Sequence, residues 1–366
     1  MKIIISGGGT GGHIFPALSI GAELRRRFPA ADILFVGALG RMEMERVPAA
    51  GFRIVGLPVS GMPRKVSLRW FRFVYNLILS MVKAFRLIHT FRPDVVVGVG
   101  GYASGPILRA ALHYNIPVVL QEQNCYAGVT NRMLAARVNA VCVAYDGMQR
   151  FFPHTRLVLT GNPVRKELLS HIDRQTALDA FGLEAGLPTV MLTGGSLGAA
   201  TLNRCIIKGL DRLRQSNIQL LWQTGKQYYA DIKALLGDNC PPNVKPVEFI
   251  SNMGMAYSAA DLVISRAGAG AIAELSLLGK PCILVPSPNV AEDHQTVNAN
   301  ALVNRAAAIL ITDAQAPETL VETAIDTCNN ELMMKTLSKN IKALAKPNAT
   351  DDITDIILET IKHTQS

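Results

Sequence analysis

Residues 7–12 read GGGTGG, and His13 follows at once. Glycines let a backbone turn tightly and bring its N–H groups close to a ligand. Where such a loop runs from a strand into a helix, those N–H groups and the helix dipole favour a phosphate. An imidazole beside it, with an ordinary pKa near 6.5, suits proton transfer. Gly7-x-Gly9-x-x-Gly12 meets the dinucleotide spacing, but that reading also needs an acid at the end of the second strand. The strand expected over 33–36 ends in Gly37, and Asp32 stands at its wrong end. A nucleoside-triphosphate loop needs Gly-Lys-Ser/Thr, where this chain has Gly12-His13. A turn without a ligand stays open for one such loop. It accounts less well for a second, GGSLGA at 194–199.

Two more segments, VGVGGYASGP at 97–106 and QEQNCYAGVTN at 121–131, also follow expected strands. Ligands of open parallel sheets bind beyond the carboxyl ends of the strands, so all these segments are expected to face one cleft between two domains. Farther on, SRAGAGAIAEL at 265–275 sets Glu274 in the first turns of a helix. A carboxylate there can accept hydrogen bonds from both hydroxyls of a ribose; the alternative is an acid that merely favours the helix dipole. The glycines before it and the acidic–amide run AEDHQTVNAN at 291–300 favour the ribose. Backbone amides, an arginine, an acid and side-chain amides together suit a sugar nucleotide. Glu292-Asp293-His294 is the best grouping for a metal, but three consecutive residues do not point together in any regular element. No metal and no cofactor is expected.

The elements that must position these residues are legible as an alternation. Apolar runs at 2–6, 33–36, 95–98 and 118–121 read as buried parallel strands, with helices at 17–28 and 105–114. After Gly161-Asn162-Pro163 the rhythm restarts, with strands at 189–193, 219–223, 247–250, 262–265 and 282–286 and helices at 202–214 and 271–278. The class is α/β, two Rossmann-like domains hinged near 161–164. At 366 residues the length also favours two domains. A helical stretch at 351–364 follows the breaker Lys346-Pro347-Asn348.

The six cysteines are scattered without a CxxC pair, which reads as reduced thiols in a cytosol. The start reads as a strand entering a loop, not as a leader. The net charge of +9 is uneven: residues 46–93 hold nine Lys or Arg and no Asp or Glu. Such a field attracts phosphates, nucleic acid or an anionic membrane. No nucleic-acid motif accompanies it, and a binder of that kind leaves the paired glycine loops unexplained.

The motifs GGTGGHIFPAL, GGYASGP, EQNCYAGVTN, GNPVR, GGSLGA, SRAGAGAIAE and HQTVNA, in this order and spacing, resemble the MurG family over nearly the whole chain. The resemblance implies a GT-B fold, an N-terminal domain over 1–161 to which 347–366 returns, and a C-terminal donor domain over 162–346. It implies an inverting transfer of GlcNAc from UDP-GlcNAc to the 4-hydroxyl of MurNAc in lipid I, giving lipid II at the cytoplasmic face of the bacterial plasma membrane.

By motif, Glu274 would bind the ribose and Arg165 the diphosphate, with Ser196 and its loop facing the phosphates. Ile250 and Arg266 would flank the uracil. Ala269, Gly270, Ala271, Ile272 and Ala273 would line the nucleotide through backbone, and Gln295 would hold GlcNAc hydroxyls. Thr10, Gly11, Gly12 and Asn124 would close over the donor from the first domain. The family often has Gln at Leu197, His at Gln121 and Gln at His294; there the resemblance carries the loop backbone but not the side-chain contact. Two residues are candidates for the base, His13 and Glu122, while His13 could instead structure its loop or contact diphosphate. The basic, aromatic segment 64–92 would rest on an anionic membrane surface; a core-facing helix with a solvated basic face is the alternative. Donor motifs leave open another GT-B transferase or a UDP-GlcNAc epimerase.

Overall fold

The computed structural model describes the chain except residues 62–68, 166, 167, 169, 171, 196 and 366. It divides into two compact units, residues 1–164 with 346–366, and residues 165–345.

The first unit is built on a seven-stranded parallel sheet. Its strands are β1 (Lys2–Ser6), β2 (Asp32–Ala38), β3 (Arg53–Leu57), β4 (Val95–Gly98), β5 (Val118–Glu122), β6 (Ala140–Val143) and β7 (Leu157–Leu159), in the order β3-β2-β1-β4-β5-β6-β7. Both faces are covered, so β1 needs no polar alternation. Ile3 and Ile5 enter one apolar cluster and Ile4 the other. The C-terminal helix Ala349–Gln365 belongs to this unit and packs Ile353, Ile356, Ile357 and Ile361 beside Ile3 and Ile5. Arg27 anchors it through Asp351 at 2.8 Å and Asp355.

The second unit repeats the plan with six parallel strands: β8 (Thr189–Thr193), β9 (Gln219–Gln223), β10 (Val244–Val247), β11 (Leu262–Ser265), β12 (Cys282–Leu284) and β13 (Ile309–Leu310). Their order is β10-β9-β8-β11-β12-β13. In each sheet the strand order reverses beside the strand that enters a glycine loop, β1 or β8. That is where such folds bind ligands.

Some boundaries differ from those read in the sequence. The strand expected at 247–250 lies at Val244–Val247; Pro246 masked it, and an edge strand tolerates a proline. The first helix starts at Gly11, not Ala17, and keeps Pro16 inside. It starts early because the Thr10 carbonyl accepts from the His13 and Ile14 amides. The helix read at 202–214 is two, Ala200–Lys208 and Leu210–Arg214. The break falls at Gly209, where a Cβ would stand 2.5 Å from Val321. Strands β3, β6, β7 and β13 and the helices Ala316–Asn329 and Glu331–Ala343 went unread. No described helix is long and apolar enough to cross a membrane.

Candidate active site

In the first unit the turns after β1 and β4 touch. Gly101, at φ +89°, would place a Cβ 2.2 Å from the Gly8 carbonyl, so only glycine fits. Thr10, exposed, is the N-cap of the helix Gly11–Arg27, which puts Gly11, Gly12 and His13 in its first turn. His13 is half-buried, with Nδ1 3.1 Å from Thr10 Oγ1. Its ring rests over Gly100, where a Cβ would stand 2.9 Å from Nε2. Not every amide of this loop faces outward: Gly9 N–H donates to the buried carboxylate of Glu43 at 3.0 Å.

Glu122, at the end of β5, is buried and accepts four hydrogen bonds. They come from Asn124 N at 3.2 Å, Asn124 Nδ2 at 3.4 Å, Gly128 N at 3.0 Å and Asn131 Nδ2 at 2.8 Å. Burial pushes this carboxyl up from the usual carboxylate range, against the pull of those donors. The arrangement fastens the loop that carries Asn124. Beside it Gln121 Nε2 donates to Asn162 Oδ1 at 2.9 Å, and Asn162 Nδ2 to the Gln123 carbonyl at 3.0 Å. The departure at Gln121 is thus an interior amide network.

In the second unit the GGSLGA turn presses on the turn after β9: a Cβ on Gly198 would meet the Thr224 carbonyl at 2.2 Å. Gln223, unread in the sequence, ties the region together. It donates to the Gly195 carbonyl at 2.9 Å and accepts from the Ile250 amide at 2.9 Å. Ile250 itself is buried. Ser196 lies outside the described residues, and Leu197 beside it is exposed.

The helix Ala269–Leu278 begins after Gly268, which supplies no side-chain cap, and residues 269–273 form its opening turns. Glu274 lies past the first turn, beyond the reach of a dipole effect confined to helix ends. Its Oε1 accepts from Arg165 Nη2 at 2.9 Å, and its Oε2 from the Tyr257 hydroxyl at 2.9 Å. Burial first, then the charge of Glu274, pushes the Tyr257 hydroxyl well above the usual phenol range, so it stays a donor. Tyr257 was missed because, in the helix Met253–Ala259, it reads as one more core residue.

Arg266 turns its guanidinium to the Val285 and Pro286 carbonyls, both at 3.1 Å, and to Asp313 at 2.5 Å. Gln295 Oε1 accepts from the Ser287 amide at 2.8 Å. Among the described residues, no group of three His, Cys, Asp or Glu is placed to hold a metal ion.

Residues 3–143 match the glycosyltransferase family 28 N-terminal domain, and residues 189–353 match its C-terminal domain. The chain is 54% identical to the UDP-N-acetylglucosamine--N-acetylmuramyl-(pentapeptide) pyrophosphoryl-undecaprenol N-acetylglucosamine transferase of Phocaeicola vulgatus, over 94% of this chain and 92% of that protein. It is 51% identical to the enzyme of the same name from Cytophaga hutchinsonii, over 98% of this chain and 97% of that one. The crystal structure of Acinetobacter baumannii MurG superposes with a TM-score of 0.78 at 29% identity, covering 98% of this chain and 99% of that one. Two parallel-sheet units, both halves of family 28 in order, and relatives of this identity over nearly full length lead to one conclusion: the chain belongs to the MurG family of GT-B glycosyltransferases.

Proposed function

We propose that this chain transfers GlcNAc from UDP-GlcNAc to the 4-hydroxyl of the MurNAc residue of lipid I, with inversion, giving lipid II for peptidoglycan. The observation that carries the donor assignment is the Arg165–Glu274–Tyr257 cluster at the helix Ala269–Leu278. A cation for the diphosphate and an acid for the ribose already stand together there. The acceptor oxygen forms a bond to the anomeric carbon as the bond to UDP breaks, and its proton passes to a base. His13 suits that task better than Glu122, whose carboxylate is buried and engaged by four donors. Helix-start amides and Arg165 would take up the charge developing on UDP. The test is UDP release from UDP-GlcNAc with and without a short-chain lipid I analogue. Release that depends on the analogue supports the reading. Release without it, accompanied by free ManNAc, would instead identify an epimerase.

Tyr257→Phe probes the donor assignment without removing a charge. It deletes one hydrogen bond to a carboxylate, worth about 1.5–3 kcal/mol. Because that bond is made within the protein, its loss should show first as a lower melt, with a smaller fall in UDP-GlcNAc affinity, readable by titration, as Glu274 loses part of its orientation. Unchanged affinity would show that Glu274 needs no partner to hold its orientation.

We infer also that the enzyme docks on the inner face of the plasma membrane through the helix Arg69–Phe91. Arg64 and Lys65 of the basic segment lie outside the described residues. On the helix, Phe71, Tyr75, Ile78 and Val82 are exposed at spacings that share one face, Phe71 at 77%. Arg72 and Arg86 are exposed beside them, while Lys83 donates to the Gly56 carbonyl at 2.7 Å. A solvated basic face would not carry that apolar stripe. Each large apolar side chain buried in lipid contributes about 1.5–3 kcal/mol. Phe71→Ser with Ile78→Ser is therefore expected to abolish most flotation with anionic vesicles while sparing turnover of a water-soluble acceptor. Equal flotation of both proteins would sink the idea.

A further inference from the structure

Glu43 is a fully buried acid that the transfer chemistry does not call for. It opens the short helix Glu43–Ala49, a stretch that reads in sequence as an ordinary charged helix start. Its Oε1 accepts from the amide of Ala38, at the end of β2, at 2.9 Å, and from the amide of Gly9 at 3.0 Å; Oε2 lies 3.1 Å from the same Gly9 amide. The space it fills is made by two glycines on different segments. A Cβ on Gly8 would stand 2.1 Å from Oε1, and one on Gly37 2.5 Å from Cγ.

Gly9 has φ +90°, and no atom lies within 4 Å of where its Cβ would be. Its amide is held by both oxygens of Glu43. Gly9 leads directly into Thr10, the extended N-cap residue at φ −146° and ψ 158°, and Thr10 Oγ1 faces His13 Nδ1 at 3.1 Å. A displacement at Gly9 is thus passed through one residue to the imidazole.

We propose that Glu43 is a positioning residue for the transfer: its carboxylate pins Gly9 and so sets Thr10 and His13 for proton removal. The proposal rests on the reading of His13 as the base. A carboxylate suits the task because both its oxygens accept, whereas a glutamine would turn an NH2 group toward the Gly9 N–H or give up one oxygen.

The test compares Glu43→Gln, Gly8→Ala and His13→Ala in the full-length enzyme. The readouts are kcat and KM with UDP-GlcNAc and a short-chain lipid I analogue, UDP-GlcNAc binding by titration, and the thermal melt. Gly8→Ala keeps the acid but drives a methyl group into its carboxylate, so it serves if Glu43→Gln does not fold. Misplacing a reacting group by about 1 Å costs on the order of a hundredfold. Each of the first two variants should lose about ten- to hundredfold in kcat, with donor affinity held within about threefold. A purely structural Glu43 would lower the melt and leave kcat at saturation unchanged. That outcome, or a loss confined to KM, overturns the proposal. If Glu43→Gln keeps kcat while His13→Ala loses it, only the positioning role falls. If all three variants turn over as the parent does, the reading of His13 falls with it.

Discussion

His13→Ala is expected to lower kcat by about two to four orders of magnitude, the usual contribution of a positioned general base. Affinity for UDP-GlcNAc should change little, because most of the donor contacts, those to uracil, ribose and GlcNAc, are assigned to the second unit. Orientation sets His13 apart. The imidazole stands half-buried in the first turn of its helix, held by Thr10 at Nδ1, with Nε2 over the bare backbone of Gly100. Glu122, the other carboxylate or imidazole candidate, has its oxygens committed to Asn124, Gly128 and Asn131. Its replacement by glutamine should therefore act through loop order. A kcat–pH profile separates the two. The acid limb should vanish in His13→Ala and persist in Glu122→Gln. A His13→Ala enzyme with parental kcat at saturating acceptor would remove His13 from the chemistry.

Glu274→Ala should weaken UDP-GlcNAc binding or turnover about ten- to hundredfold, from the loss of charged hydrogen bonds worth about 1.5–3 kcal/mol each. The structure adds a second cost. Without the carboxylate, the Tyr257 hydroxyl loses its acceptor, and Tyr257 is 2% exposed. An orphaned buried donor costs about 1–3 kcal/mol, so the variant should also unfold at lower denaturant. Glu274→Gln keeps an acceptor for Tyr257 but not the charge facing Arg165. It should regain most of the stability and little of the donor affinity. Unchanged affinity and turnover in a folded Glu274→Ala protein would end the assignment.

The repeated strand–glycine–helix pattern was legible because each part is a local demand. Buried parallel strands need unbroken apolar runs such as Ile3–Ile4–Ile5, and turns such as those at Gly100 and Gly101 need positive φ. Those demands identify the loops, while Glu274, Arg165 and His13 were proposed from residue type and from the resemblance of their motifs to the family. Where a local cue misled, as Pro16 did for the first helix and Pro246 for β10, the hydrogen bonds to the Thr10 carbonyl and the edge position of the strand accommodated the proline.

The partners of those residues are a different matter. Arg165 meets Glu274 across 109 residues, Glu43 reaches Gly9 across 34, and Gln223 reaches Ile250 across 27. None of these pairs has a periodicity or spacing that marks it, because each joins segments that only the fold brings together. The face of the helix Arg69–Phe91 is similar: its sequence announces charge and aromatic rings, but which side is left uncovered depends on what packs against Ala84 and Ile88. Sequence alone determined which chemical groups this protein carries and which loops hold them. Tertiary structure decided which carboxylate is engaged by four donors, which holds a loop in place and which stands beside an arginine, because hydrogen bonding and burial are properties of neighbours in space.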